Sequence, residues 1–427
     1  VQRPGAAPPA SPEPFDPALP DGSLERLAAD FRRFGDVFAL HAVGVETPIY
    51  VVSHPDHVKH VLVNARARYV KGLGIERVRL LLGDGLMASE GEIWRRQRGL
   101  VQPTLHRRAI GAIEGLIRRR NLELNARWLE AAGRGETLNV TRAVSDLSLN
   151  IVLEVLFGRD LPSLADDGSR PFSLLTEEPA RDLRFAARFR ALREPVRACI
   201  RRRRAGAEAH NDILALLMAA RERHSGEPMT EEALVDEVMT LIVAGHETTA
   251  SALNWTWYLL ASHPGVEAQL HAAIDAGDPA YPRQVLEEAM RLYPPGWLLT
   301  RRATTDDEIA GYRVAAGTHV FISPYLVHRH PAFWDAPEEF RPDRFAAGAV
   351  EARHRYCYLP FGAGPRRCVG EALAMLEMET HLRTVAAHLR LRRTDDAAPA
   401  LDARINLRTR RDLHLLPQRR GDAGAPA

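Results

Sequence analysis

From Glu231 to Ser262 the chain runs without a proline, and around 238–244, 250–253 and 255–260 its apolar residues cover nearly every side of a helix. A helix of that kind is stable only where it crosses the middle of a large core. With 427 residues the chain is long enough to build such a core, burying roughly three quarters of the surface it would expose unfolded. The centre of the same stretch carries Gly245, His246, Glu247, Thr248 and Thr249. Burying these groups is costly unless each finds a partner, so the cluster marks a site.

Further helical periodicity recurs at 24–34, 93–100, 110–131, 140–157, 182–203, 212–223, 264–274, 283–292 and 371–389. Alternating residues with turn signals appear at 37–42, 48–52, 300–324 and 405–416, which predict short strands, the first two a hairpin. The expected fold is mainly α with a minor β-sheet. No repeat at a solenoid period and no Gly/Ser linker divides the chain, so one domain is expected over 21–417. Pro4, Pro8, Pro9, Pro12, Pro14, Pro17 and Pro20 make 1–20 an extended, proline-rich arm, and 418–427 is expected to be a flexible tail.

Net charge is +2, too balanced for a dedicated nucleic-acid binder. Positive charge is nearly all arginine, with lysine only at Lys59 and Lys71. Cys199, Cys357 and Cys368 provide neither an even disulfide framework nor metal-type spacing, so reduced cytosol is the expected compartment. Neither a membrane-spanning apolar run nor a signal peptide is found, and a soluble, cytoplasmic protein is expected.

The strongest chemical signal lies between Tyr358 and Glu377. Phe361, Gly364, Arg366, Cys368 and Gly370 form a glycine-rich loop that runs directly into a helical pattern. A Cys held before a helix N-terminus meets backbone N–H groups and a dipole that favour thiolate, the form that ligates metals. The alternative for a single Cys is a structural thiol in a turn, which is how Cys199 and Cys357 are read.

Together these five residues resemble the haem-binding loop of the cytochrome P450 family, and the resemblance extends over almost the whole chain in the family's order. Glu288 and Arg291, three residues apart and so on one helix face, are similar to the family's Glu-x-x-Arg helix. By itself such a pair means little, since exposed pairs are worth only a few tenths of a kcal/mol, about 0.3–0.5. With Arg344 of Pro342-Asp-Arg344-Phe345, the resemblance implies a buried network bracing the haem loop. Ala244 to Thr249 resembles the oxygen-activation helix, with Thr248 returning its hydroxyl to the Ala244 carbonyl and, with Gly245, opening a groove for O2. Glu247 and Thr248 are the implied proton relay. Trp94 and Arg98 look like the family's propionate donors, and Arg301, with Arg302 an alternative, is expected to add another contact.

The resemblance therefore implies haem b (iron protoporphyrin IX) with Cys368 as axial thiolate, a ligand type that favours O–O cleavage over oxygen carriage. It implies a monooxygenase fed from NAD(P)H through a ferredoxin or flavodoxin and its reductase, because the chain has no room for a fused flavin domain. Arg95, Arg96, Arg366 and Arg367 are the expected docking face. The pocket is expected between Tyr69 and Met87, at 241–248 and at 295–299, with Leu82, Leu86, Met87, Ile242, Trp297 and Leu298 as its apolar lining. Terpenoid, polyketide and fatty-acid substrates all suit it. A partner-independent peroxygenase or isomerase, and a non-catalytic haem or ligand binder, are the alternatives. Two connections, 275–282 and 163–181, are short for the family, the second where it carries the pocket lid.

Overall fold

The computed structural model describes residues 7–15, 22–106, 110–164, 172–177, 183–206 and 208–421. Parts of the expected arm, lid and tail lie outside these residues. The helix Glu231–Ser262 spans about 48 Å at 1.5 Å per residue, and its ends follow from the sequence. Thr230 caps it by accepting from the Ala233 N–H, and Glu231 and Glu232 complement the dipole at its first turn. Helices Glu114–Arg134, Val140–Phe157, Arg193–Ala205, Ala280–Leu292 and Glu371–Ala386 assemble the helical body around it. Trp255 and Trp257 are both fully buried, each contributing about 1.5–3 kcal/mol or more of hydrophobic stabilisation.

A five-stranded sheet lies to one side, in the order Val37–Leu40, Ile49–Val52, His319–Ile322, Leu299–Ala303, Tyr69–Lys71. All neighbours are antiparallel except Ile49–Val52 and His319–Ile322. A three-stranded sheet joins Leu138–Asn139, His414–Arg419 and Leu389–Arg393. Among the described residues no helix is long and apolar enough to cross a membrane.

Several elements depart from the expectations. Residues 182–203 are not one helix: Leu183–Ala191 and Arg193–Ala205 meet at a turn at Leu192. The helix begun at Ile213 stops at Ala219, because beyond it the polar residues offer no face to bury and the Glu222 carboxylate instead accepts from the His224 and Ser225 N–H groups. The last long helix ends at Ala386, and the alternating Leu389 and Leu391, both fully buried, continue as a strand. Helix Ile75–Leu82, absent from the predicted set, completes the elements beside the site.

The described part of the arm, residues 7–15, is extended but docked. Ser11 N donates to Ala39 O (2.9 Å), Ala39 N to Pro9 O (2.8 Å) and Phe15 N to His41 O (2.7 Å), so it pairs along the edge strand. Arg26 clamps it through Pro14 O and Ser11 Oγ, and Phe15 is buried against Phe321. The packed body therefore begins before Asp21. It also outlasts Pro417: Gln418 and Arg419 lie in a strand, and Arg420 bonds Asp275 and the Ala386 and Ala387 carbonyls.

Candidate active site

Along the middle of the central helix, burial separates two faces. Ile242, His246 and Thr249 are buried, whereas Leu241, Ala244, Glu247 and Thr248 keep accessible surface, on the side of the helix where a cleft is expected. Thr248 Oγ1 donates to Ala244 O over 2.7 Å, the predicted back-bond. Gly245 serves a different purpose from the one expected. A Cβ there would stand 2.9 Å from Val152 Cγ2, and Gly245 O accepts from Ser148 Oγ, so its bare side lets helix Val140–Phe157 approach. The helix continues through it unbroken. Ile242 shares that packed face with His246, which bonds Ser145 Oγ at 2.9 Å, and so lies away from the cleft.

The Cys368 loop is shaped by hydrogen bonds and by two glycines. Cys368 N donates to Phe361 O (2.9 Å) and Arg367 N to Gly364 O (3.1 Å). Gly362 and Gly364 adopt φ of 71° and 72°, and a Cβ on Gly364 would meet Leu62 O at 2.1 Å, so only glycine fits against that neighbouring turn. Cys199 and Cys357 are buried, and burial pushes the Cys357 thiol up to about 11; Cys368 is the exposed cysteine. Crowding by protein atoms raises the Cys368 pKa, while the Gly370 N–H, Arg98 and Arg367 act in the opposite sense. A coordinated metal would favour the thiolate.

Glu288 and Arg291 are both fully buried and paired at 2.6 and 2.8 Å. Arg291 also donates to His328 O, Pro337 O and Glu339 O, and Arg344 Nε stands 3.3 Å from Glu288 Oε1. The link onward to the Cys loop is His328, which sequence reasoning missed. Burial, reinforced by Arg291, holds His328 neutral; its Nε2 accepts from Leu359 N (2.8 Å) and its Nδ1 faces Arg291 O (3.2 Å). No sequence motif distinguishes it.

On another side of the loop, positive charge is concentrated. The Arg366 guanidinium lies 4.7 Å from the Trp94 ring centre and pairs with Glu90. Strand register sets Lys71 opposite Arg301. Burial, and then the nearby Arg366, push Lys71 down to about 7 and Arg301 down to about 10. Glu90, which also accepts from Lys71 N, supplies one negative charge among three cations, and Arg366 Nη1 is buried without a partner. Lys71 was not among the predicted site residues. Arg302, by strand alternation, is exposed on the opposite face. Arg98 bonds Arg367 O (2.6 Å) and Gln102 rather than joining the cluster.

Of the residues of the expected docking face, Arg95, Arg96 and Arg367 are exposed, Arg96 donating to Pro228 O (3.0 Å) and Arg367 paired with Glu371, whereas Arg366 is turned inward toward Glu90. Of the expected pocket residues, Leu82 and Leu86 are buried in the main core and Met87 is at the surface. Trp297 and Leu298 pack instead in a separate cluster with Phe321, Leu326 and Leu407 beneath the sheet.

The donor set fits a haem. An accessible thiol stands in a loop only glycine can form, and a partly buried cationic cluster has fewer anions than cations, a shortfall that two propionates would make up. Residues 21–410 match the family model described as Cytochrome P450. The chain is 35% identical over 375 residues to cyclooctatin synthase of Streptomyces melanosporofaciens, covering 81% of each chain. It is 32% identical over 372 residues to cyclooctat-9-en-7-ol 5-monooxygenase of the same organism, covering 80% of each. Among solved structures, that of a cytochrome P450 (CYP102L1) superimposes with a TM-score of 0.86 at 24% identity, covering 98% of this chain and 100% of the other. The cytochrome P450DA heme domain gives 0.83 at 25%, covering 98% and 99%.

Proposed function

This chain belongs to the cytochrome P450 family, and from that premise we propose that it is a haem-thiolate monooxygenase inserting one atom of O2 into an apolar small molecule, with electrons from a separate redox partner. The observation that carries this reading is the Cys368 loop: an accessible thiol beside a partly buried, anion-deficient cluster of Lys71, Arg301 and Arg366. Cys368 would ligate the iron, and Lys71, Arg301, Arg366 and Trp94 would border the propionates. When bound, the haem supplies the electron transfer and oxygen activation that no side chain offers.

The chain's own contribution lies on the cleft face of the central helix. Thr248 spends its proton on Ala244 O, so its oxygen is presented as an acceptor that can hold a water or an acid's O–H. Glu247, on the next position of the same face, is the acid that passes a proton toward it. Leu241 and Ala244 keep this stretch apolar and exclude bulk water. The second relative's name describes a monooxygenase of a cyclic unsaturated alcohol, which favours a substrate of that type, terpenoid-like, over a fatty acid or polyketide.

The test is the absorption spectrum of the reduced, carbon monoxide-bound protein beside Cys368→Ala. A strongly red-shifted Soret band that requires Cys368 is expected; an unshifted band insensitive to the substitution overturns the reading. Turnover of a terpene alcohol with a ferredoxin system, compared with peroxide alone, then separates monooxygenase from peroxygenase. Glu247→Gln and Thr248→Ala are expected to lower product formed per NAD(P)H by tenfold or more, about the low end of general acid–base effects.

A further inference from the structure

Glu247 is held from outside its own helix. Asn406 Nδ2 donates to Glu247 Oε2 over 3.1 Å, across 159 residues of sequence. The segment that carries Asn406 is clipped to the same stripe of the central helix. Ser251 Oγ (2.6 Å) and Trp255 Nε1 (3.0 Å) both donate to Leu407 O, and Asn254 Nδ2 reaches Thr409 Oγ1 (3.2 Å). Glu247, Ser251, Asn254 and Trp255 follow the spacing i, i+4, i+7, i+8, one face of a helix. Leu407 N is in turn bonded to Pro295 O (2.9 Å), and the Leu407 side chain is fully buried. The backbone beside Asn406 cannot slide along the helix without breaking these bonds.

We propose that Asn406 is a positioning residue whose side-chain amide selects the carboxyl rotamer of Glu247, keeping that acid toward the cleft it shares with Thr248. This rests on the reading of Glu247 as the acid of the proton relay. A glutamate has several staggered rotamers of similar energy, and one directed hydrogen bond is enough to choose among them. A neutral amide suits the task. An arginine or lysine in its place would hold the carboxylate permanently charged, whereas the amide neither supplies charge nor competes for the proton. The four backbone and side-chain anchors around Leu407 give the amide its fixed place, while Asn406 itself, half-buried, carries none of them.

The experiment uses the haem-loaded wild type, Asn406→Ala, Asn406→Asp, Glu247→Gln and the Asn406→Ala/Glu247→Gln double variant. Two quantities are read: product per NAD(P)H with the terpene alcohol geranylgeraniol as probe, and the infrared C–O stretch of the reduced, carbon monoxide-bound protein, which senses polar groups in the cleft. Asn406→Ala and Asn406→Asp are expected to lose about three- to tenfold in product yield, the worth of one hydrogen bond. They should also shift or broaden the C–O band without moving the thermal midpoint. The double variant should match Glu247→Gln in both readouts, because the amide acts only through the acid. Wild-type yield and band in Asn406→Ala, or losses that multiply in the double variant, would overturn the proposal. A wild type lacking the red-shifted Soret band overturns the underlying haem-thiolate reading, an outcome distinguishable because every variant then fails alike.

Discussion

Lys71 and Arg301 stand directly opposite one another on adjacent antiparallel strands. Both hold their protons less firmly than they would in water, first because burial strips their solvation and then because Arg366 lies close to each, with Arg301 adding to the repulsion at Lys71. A site that keeps such a pair is built for an anion. Lys71 Nζ donates to Leu86 O (2.9 Å) and Ser89 O (2.8 Å) and keeps a third proton for an anion, so Lys71→Met is expected to speed haem loss several-fold. Haem transfer to an excess of haem-free globin measures the effect. A variant that retains haem as well as wild type would show that Lys71 does not face the propionates.

Gly245 packs where helix Val140–Phe157 passes the central helix. Gly245→Ala is expected to cost about 1–3 kcal/mol by overpacking against Val152. Adding Val152→Ala should recover most of that loss, since it removes the methyl groups in the way. Urea unfolding of the single and double variants checks the pairing.

His328 connects the Glu288–Arg291 pair to the loop that precedes Cys368. His328→Leu leaves the buried Leu359 N–H without its acceptor, at an expected cost of about 1–3 kcal/mol. The loop would be loosened with it, so the fraction of protein showing a red-shifted carbon monoxide band should fall at unchanged haem supply. Removing Arg291 instead strands a buried charge and should cost about 3–5 kcal/mol, enough to abolish soluble yield.

Glu377 is buried on helix Glu371–Ala386, and burial pushes its pKa up to about 8, opposed by a bond to Ser148. Its folded pKa thus exceeds the unfolded value near 4.5. The folded state binds the proton more tightly, so stability is full below about 4.5 and declines as pH rises through about 8. Glu377→Gln should follow the wild type below about pH 4.5 and flatten the fall of the urea midpoint between about pH 5 and 8. A wild-type midpoint that does not fall over this range would contradict the burial assignment.

How far the sequence carries can be judged residue by residue. The central helix was legible because its apolar residues cover nearly all sides. The back-bond of Thr248 was legible because a hydroxyl four residues after a carbonyl is a local matter. The turn at Leu192 was not, since residues on both sides keep helical spacing and only packing decides where the axis changes. Gly245 was assigned to the cleft, yet whether a glycine serves a groove or a close helix approach depends on what lies across from it. Trp297 and Ile242 are apolar in either setting, and apolarity cannot say which cavity or core a side chain enters.

The chain by itself determined most of its helices, the glycine-shaped turn before Glu371 and the cysteine that turn presents, because these depend on backbone torsions and on residues within one or two turns. Tertiary structure decided that Lys71 faces Arg301, that His328 reaches Leu359 and that Asn406 holds Glu247. Each of those pairs joins residues brought together only when distant elements pack, and neither partner's neighbours in sequence carry the information. The register of a strand or the face of a helix is chosen by the sum of all burial across the core. The local pattern names the chemistry available, and the packing of the whole chain assigns each group its partner.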